Sequence, residues 1–136
     1  MSLTVTRIFA DDEGETHLAD IVVPTEGGSG HSGTARAELP TTTMIYVEYP
    51  PGEIEIIPGY HCAPRRQLVL CLSGGFEVTT TSGDSRVFRP GDWMLADDLD
   101  SKGHLTRGVG EEPRKVMAVG LAGEWSLPEG RLPSAL

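Results

Sequence analysis

The sequence predicts an all-β fold, a double-stranded β-helix or jelly-roll β-barrel, and three observations predict it. Seventeen glycines and ten prolines are scattered through 136 residues and leave no uninterrupted stretch for a helix of ordinary length. The apolar runs between these breaks are short and rich in Val, Ile, Thr and Tyr, the residues that fit a pleated surface. Turn signals recur about every eight to twelve residues, the spacing of a two-sheet sandwich or barrel. A chain of this length forms one domain, here residues 1–136, and is too short for two ordinary ones.

Taken in order, Leu3 to Phe9 reads as a strand stopped by Asp11-Asp12-Glu13-Gly14, and His17 to Val23 as a second stopped by Pro24, so N-terminal strands occupy 3–24. Residues 25–38 hold GGSGHSGTA, a flexible loop by composition, in which His31 reads as a solvated residue; His17, beside acidic residues, reads the same way. The barrel proper is expected over about 40–121. It begins with TTTMIYVEY, turns at Pro50-Pro51-Gly52, and continues into Glu53-Ile54-Glu55-Ile56, an alternating strand with one wet face.

From His61 the chain reads HCAPRRQLVLCLSGG. If this run is extended, His61, Arg65, Gln67 and Val69 point to one face and Arg66, Leu68, Leu70 and Leu72 to the other. Gly74-Gly75 ends the run, Ser82-Gly83-Asp84 makes a hairpin turn, and Arg89-Pro90-Gly91-Asp92 turns the chain again before Trp93. His104 to Val109 and Lys115 to Leu121 complete about eight to ten short strands. The tail, residues 122–136, carries apolar anchors among prolines and glycines and suits a segment laid across the barrel or a partner, with Trp125 docked.

The formal charge of −9, with two lysines and nine arginines, argues against a nucleic-acid partner, which needs a basic face, and against anionic membranes. No apolar run reaches 18 residues and the N-terminus lacks a basic start and an apolar signal core, so a cytoplasmic protein is expected. Cys62 and Cys71 have opposite parity and stand too far apart along one strand region to bridge, so both are expected as thiols.

Residues 40–120 resemble the two motifs of the cupin superfamily. The first motif of that family has a His-x-His pair, a glutamate three or four residues on and a glycine seven after it; the positions here are His61, Ala63, Gln67 and Gly74. The second has a glycine, a proline six later, a histidine five after that and a terminal asparagine. Here Gly91 matches, Asp97 takes the proline position, His104 arrives two residues late and Gly108 takes the asparagine position. The runs HCAPRRQ, LSG, PGD and DSKGH also resemble a subgroup of small bacterial cupins. The resemblance implies a jelly roll and a homodimer joined through the N-terminal strands.

It also marks the site. His61, Gln67 and His104 are the candidate metal ligands, and only half of the family's three imidazoles and one carboxylate remain. Arg65, close to Gln67 and of the same parity, repels a cation, so the expectation is no metal or a weakly bound divalent ion, nickel, zinc or iron. Asp97 or Asp98 stands as a source of the missing carboxylate. The alternative is a polar pocket without metal in which His61 and His104 are catalytic and Arg65, Gln67, Tyr46, Trp93 and Lys102 bind a small anionic or carbonyl-bearing molecule. Arg65 and Arg66 equally suit ion pairs with Asp97, Asp98 or Asp100, and Tyr46, Trp93, Phe76 and Phe88 suit core or pocket wall.

Two imidazoles facing one cavity can divide acid and base roles near neutral pH, the chemistry of isomerisation, elimination or cyclisation beside a carbonyl. A non-catalytic binding or sensing module, a metal-dependent enzyme such as a dioxygenase, and a structural protein with a vestigial pocket stand as alternatives.

Overall fold

A computed structural model describes residues 3–27, 34–55, 57–122 and 134–135, and they form an all-β protein with no helix among them. In chain order the strands are β1 (Leu3–Ala10), β2 (Thr16–Val23), β3 (Glu26–Gly27), β4 (Ala35–Arg36), β5 (Thr41–Tyr49), β6 (Gln67–Ser73), β7 (Phe76–Thr80), β8 (Ser85–Phe88), β9 (Trp93–Asp97), β10 (His104–Gly108), β11 (Arg114–Leu121) and β12 (Ser134–Ala135). His31 and Trp125 lie outside the described residues.

Seven strands form one mixed sheet in the order β12-β2-β1-β9-β6-β11-β5, in which β1 runs parallel to β9 and the other neighbours are antiparallel. Three strands, in the order β10-β7-β8, form a second sheet, and β3 pairs with β4 alone inside the loop read as flexible. Among the described residues the strands do not close into a hydrogen-bonded barrel. β1 lies between β2 and β9, and β2 between β1 and β12, so the N-terminal strands are paired within the chain, while β5 ends its sheet.

The alternation of β6 shows how sequence sets the layers. Val69 and Cys71 face the layer between the two sheets, with Ile8, Leu18, Phe76, Val78, Phe88, Met94 and Val116, while Leu68 and Leu70 join Val5, Ile21, Leu95 and Leu121 on the opposite face of the large sheet. Phe76 and Phe88 are paired across the β7–β8 hairpin and stack with centroids 5.1 Å apart. Each such fully buried side chain contributes roughly 1.5–3 kcal/mol. Exposed ion pairs give about 0–1 kcal/mol, so this double layer of apolar residues dominates the stability.

One expected strand does not form. Over Glu53–Glu55 the chain bends and makes only a single bridge, Glu55 to Arg107, with residue 56 outside the described set. The segment lies between the turns Pro50-Pro51-Gly52 and Pro58-Gly59, and in it the Ile54 carbonyl accepts the Gly108 N–H at 2.8 Å.

Candidate functional site

The site grows out of the bridge between His61 and His104. Their backbones exchange two hydrogen bonds, each 3.0 Å, although the chain from Cys62 to Arg66 is irregular rather than extended. Gly103 makes this approach possible. It has φ +81°, and a Cβ there would stand 2.5 Å from the carbonyl carbon and oxygen of His61. The loop before His104 is tied down from three sides: Thr16 Oγ1 donates to the Gly103 carbonyl at 2.8 Å, the Gly103 N–H donates to Ser101 Oγ at 2.9 Å, and the Cys62 thiol donates to the Ser101 carbonyl at 2.9 Å.

The two rings face each other with centroids 4.6 Å apart at 55°. Behind His104 stands Asp98, fully buried, with its Oδ2 2.6 Å from His104 Nδ1. Its other oxygen, Oδ1, is buried with no partner among the described residues. A carboxylate only accepts, so His104 carries a hydrogen on Nδ1 and the Nε2 of the neutral ring is an acceptor. His61 is placed the same way: Nδ1 donates to the Gly59 carbonyl at 3.3 Å and Nε2 is left unpartnered among the described residues. Burial lowers the pKa of His61, and His104 adds to the lowering, against the Gly59 carbonyl and Asp98.

A cavity of about 250 Å³ opens beside the pair between the two sheets. His61, His104, Gln67 and Arg65 line it with Thr106 and Tyr49, and the remaining wall is largely apolar, from Val47, Val69, Phe76, Met94, Ala96 and Val116. Arg65 is exposed and makes no hydrogen bond or ion pair among the described residues. Its neighbour Arg66 does the opposite: its Nε donates to Asp97 Oδ1 at 3.1 Å, while Arg7 holds Asp97 Oδ2 through Nε at 2.9 Å and Nη2 at 2.7 Å. Asp97 therefore joins β1, β6 and β9 on the outer face, and the pairing open to both arginines falls to Arg66 alone.

Three residues expected to bind substrate stand outside this cavity. Tyr46 alternates with Ile45, Val47 and Tyr49, which line it, so its ring lies on the other face of β5 and its hydroxyl donates to Glu48 at 2.7 Å. Trp93 packs against the outer apolar layer and borders a separate cavity with Thr6, Asp20 and Arg86. Lys102 is exposed and pairs with Glu15. Ala63 and Cys71 are buried in the core, and burial raises the pKa of the Cys71 thiol.

The residue the sequence reading did not place is Asp98 as the partner of His104. It shares the parity of Met94 and Ala96 on the inner face, but Trp93 and Leu95 are apolar too, so parity alone did not mark which face meets the cavity. For a metal, the donors within reach are the two imidazoles and the neutral Gln67 amide; Asp98 turns to Nδ1 of His104 rather than to the cavity. Among the described residues no group of three or more His, Cys, Asp or Glu stands together as a metal site. That donor set fits a tightly held divalent cation poorly.

No family model matches the chain, and no curated protein matches it. Among solved structures it is similar to protein NMB1881 from Neisseria meningitidis, with a TM-score of 0.40 and 16% identity over 58% of this chain and 72% of that one.

Proposed function

We propose that the chain is a small cupin-type jelly roll whose cavity moves a proton on a small carbonyl-bearing molecule. The observation that carries this reading is the buried Asp98–His104 pair, whose Nε2 has no partner among the described residues and belongs to a ring lining a cavity beside a second imidazole. The His104 Nε2 takes a proton from the carbon next to the carbonyl, and the electron pair moves to the carbonyl oxygen as an enolate. The imidazolium so formed has the Asp98 carboxylate as its counter-charge, and the Gln67 amide, which makes no side-chain hydrogen bond among the described residues, supplies a donor for the enolate oxygen. Return of the proton from His104 Nε2 to a different carbon on the same side of the substrate completes an isomerisation. His61, held neutral by burial, orients the substrate and accepts a hydrogen bond without competing for the charge. A metal is not needed for this step, since His104 supplies the base and Gln67 the donor.

The test is solvent exchange. Wild-type protein incubated in heavy water with a panel of 2-oxo and 3-oxo carboxylates and simple ketones is expected to exchange C–H for deuterium in at least one, followed by proton NMR. His104→Gln should abolish the exchange and Asp98→Asn reduce it about a hundredfold or more, because the amide no longer fixes the tautomer or offsets the charge. Exchange absent from the whole panel, or unaffected in both variants, would falsify the reading. The apolar wall formed by Phe76, Met94 and Val116 favours a second reading, a binding module without chemistry, and ligand binding with no exchange selects it.

A further inference from the structure

Resting on the reading of this cavity as a ligand site, we infer that its occupant is a small monocarboxylate with an apolar body, the carboxylate held at the mouth by Arg65 and the body directed toward Phe76, Met94 and Val116. The first support is the pairing of charges. The chain has 20 acidic and 11 basic side chains, so an arginine without a carboxylate is not explained by scarcity. Arg66, one residue on, is taken by Asp97, while Arg65 lines the cavity and pairs with nothing among the described residues. The guanidinium fork suits two parallel bonds to a carboxylate, which a lysine does not make.

The charge to be met is a single one. The remaining polar lining, Gln67, Thr106 and Tyr49, is neutral, and no lysine lines the cavity. Burial also disfavours the charged form of His61. A dicarboxylate with one end on Arg65 would carry its second charge down to the apolar wall, where it has no partner and leaving it desolvated is costly. Size sets the body. A volume of about 250 Å³ equals that of roughly eight liquid waters, below the usual range of drug-sized pockets. Arg65 is exposed at the opening, beside the exposed Ile45 and Ile57, while Phe76, Met94 and Val116 are buried, so the apolar end enters first. The carbon chain beyond the carboxylate then passes His61 and His104.

Calorimetry with unreactive probes tests this separately from catalysis: 4-methylpentanoate and phenylacetate, their neutral amides, and glutarate as the dianion, each titrated into wild-type protein and the Arg65→Gln, Arg65→Lys and His104→Gln variants. At least one monocarboxylate is expected to bind, with its amide and glutarate about tenfold or more weaker, as one charge-assisted contact implies. Arg65→Gln should erase the preference for acid over amide, Arg65→Lys restore part of it, and His104→Gln leave it in place. Equal binding of acid and amide, indifference to Arg65→Gln, or no binding by either monocarboxylate overturns the inference. Carboxylate binding that depends on Arg65 without deuterium exchange would leave this inference standing and remove the proton-transfer reading. Exchange on neutral ketones with no role for Arg65 would do the reverse.

Discussion

His61 and His104 lie opposite each other on an isolated backbone bridge, joined by two 3.0 Å hydrogen bonds, with their rings 4.6 Å apart. The pair is thus fixed by the main chain before any side chain acts, and what keeps it so close is the missing side chain at Gly103. Gly103→Ala adds a Cβ 2.5 Å from the His61 backbone at a residue with φ +81°. A loss of about 2–4 kcal/mol is expected from the combined strain and clash. Urea denaturation measures it, and a variant as stable as wild type would show that the bridge does not hold.

Asp98 and His104 form the second link, and their coupling is measurable. His104→Ala leaves a fully buried carboxylate without its partner, an expected cost of about 3–5 kcal/mol. Adding Asp98→Asn removes the charge and should recover part of that loss, with a coupling of roughly 0.5–3 kcal/mol. Additive effects in the double-mutant cycle would contradict the 2.6 Å contact.

Stability should also depend on pH through His61. Burial lowers its pKa in the folded state, so the unfolded chain, titrating near the ordinary value of about 6.5, binds the proton first. Between the lowered value and about 6.5 the unfolded state holds more protons, and stability rises with pH. The contribution is complete above that window and is lost as pH falls through the folded value. In thermal melts His61→Gln is expected to flatten the rise in stability with pH just below about 6.5, whereas Asp11 and Glu15, whose values are lowered by hydrogen bonds from His17 and Lys102, act at more acidic pH. An unchanged slope in the variant would remove His61 as its source.

How far the sequence showed all this depended on whether alternation was visible. In β6 it was: Leu68 and Leu70 fall on one face and Gln67 and Val69 on the other, as their parity requires. In β5 it was not, because TTTMIYVEY is apolar at both parities, so nothing marked Tyr49 rather than Tyr46 as the cavity residue. The same holds for WMLAD, where both faces are buried, and Asp98 therefore could not be aimed from its own strand. Parity did separate Arg65, which lines the cavity with Gln67, from Arg66, which meets Asp97 on the other face, although residues 64–66 are bent rather than extended. Glu53–Ile56 had the alternation of a strand, yet among its described residues only Glu55 makes a bridge, to Arg107, between two turns whose effect alternation does not register.

Arg114 offers a further check on packing away from the histidines. It is fully buried, donates Nη1 to the Gly52 carbonyl at 3.0 Å and lies 5.8 Å from the Tyr49 ring centroid, while Nε and Nη2 have no partner among the described residues. Burial draws its pKa below the ordinary arginine value. The guanidinium occupies the space a side chain at Gly108 would need, and a Cβ at Gly108 would also stand 2.5 Å from the Gly52 carbonyl oxygen. Gly108→Ala should therefore lose about 1–3 kcal/mol by overpacking. Arg114→Met in that background frees the space and removes a buried charge whose N–H groups are only partly paired, so it should be far less harmful there than in the wild type, with a coupling of roughly 0.5–3 kcal/mol. Chemical denaturation of the four proteins measures the cycle. If Arg114→Met is equally damaging with and without the alanine, the guanidinium does not lie over Gly108.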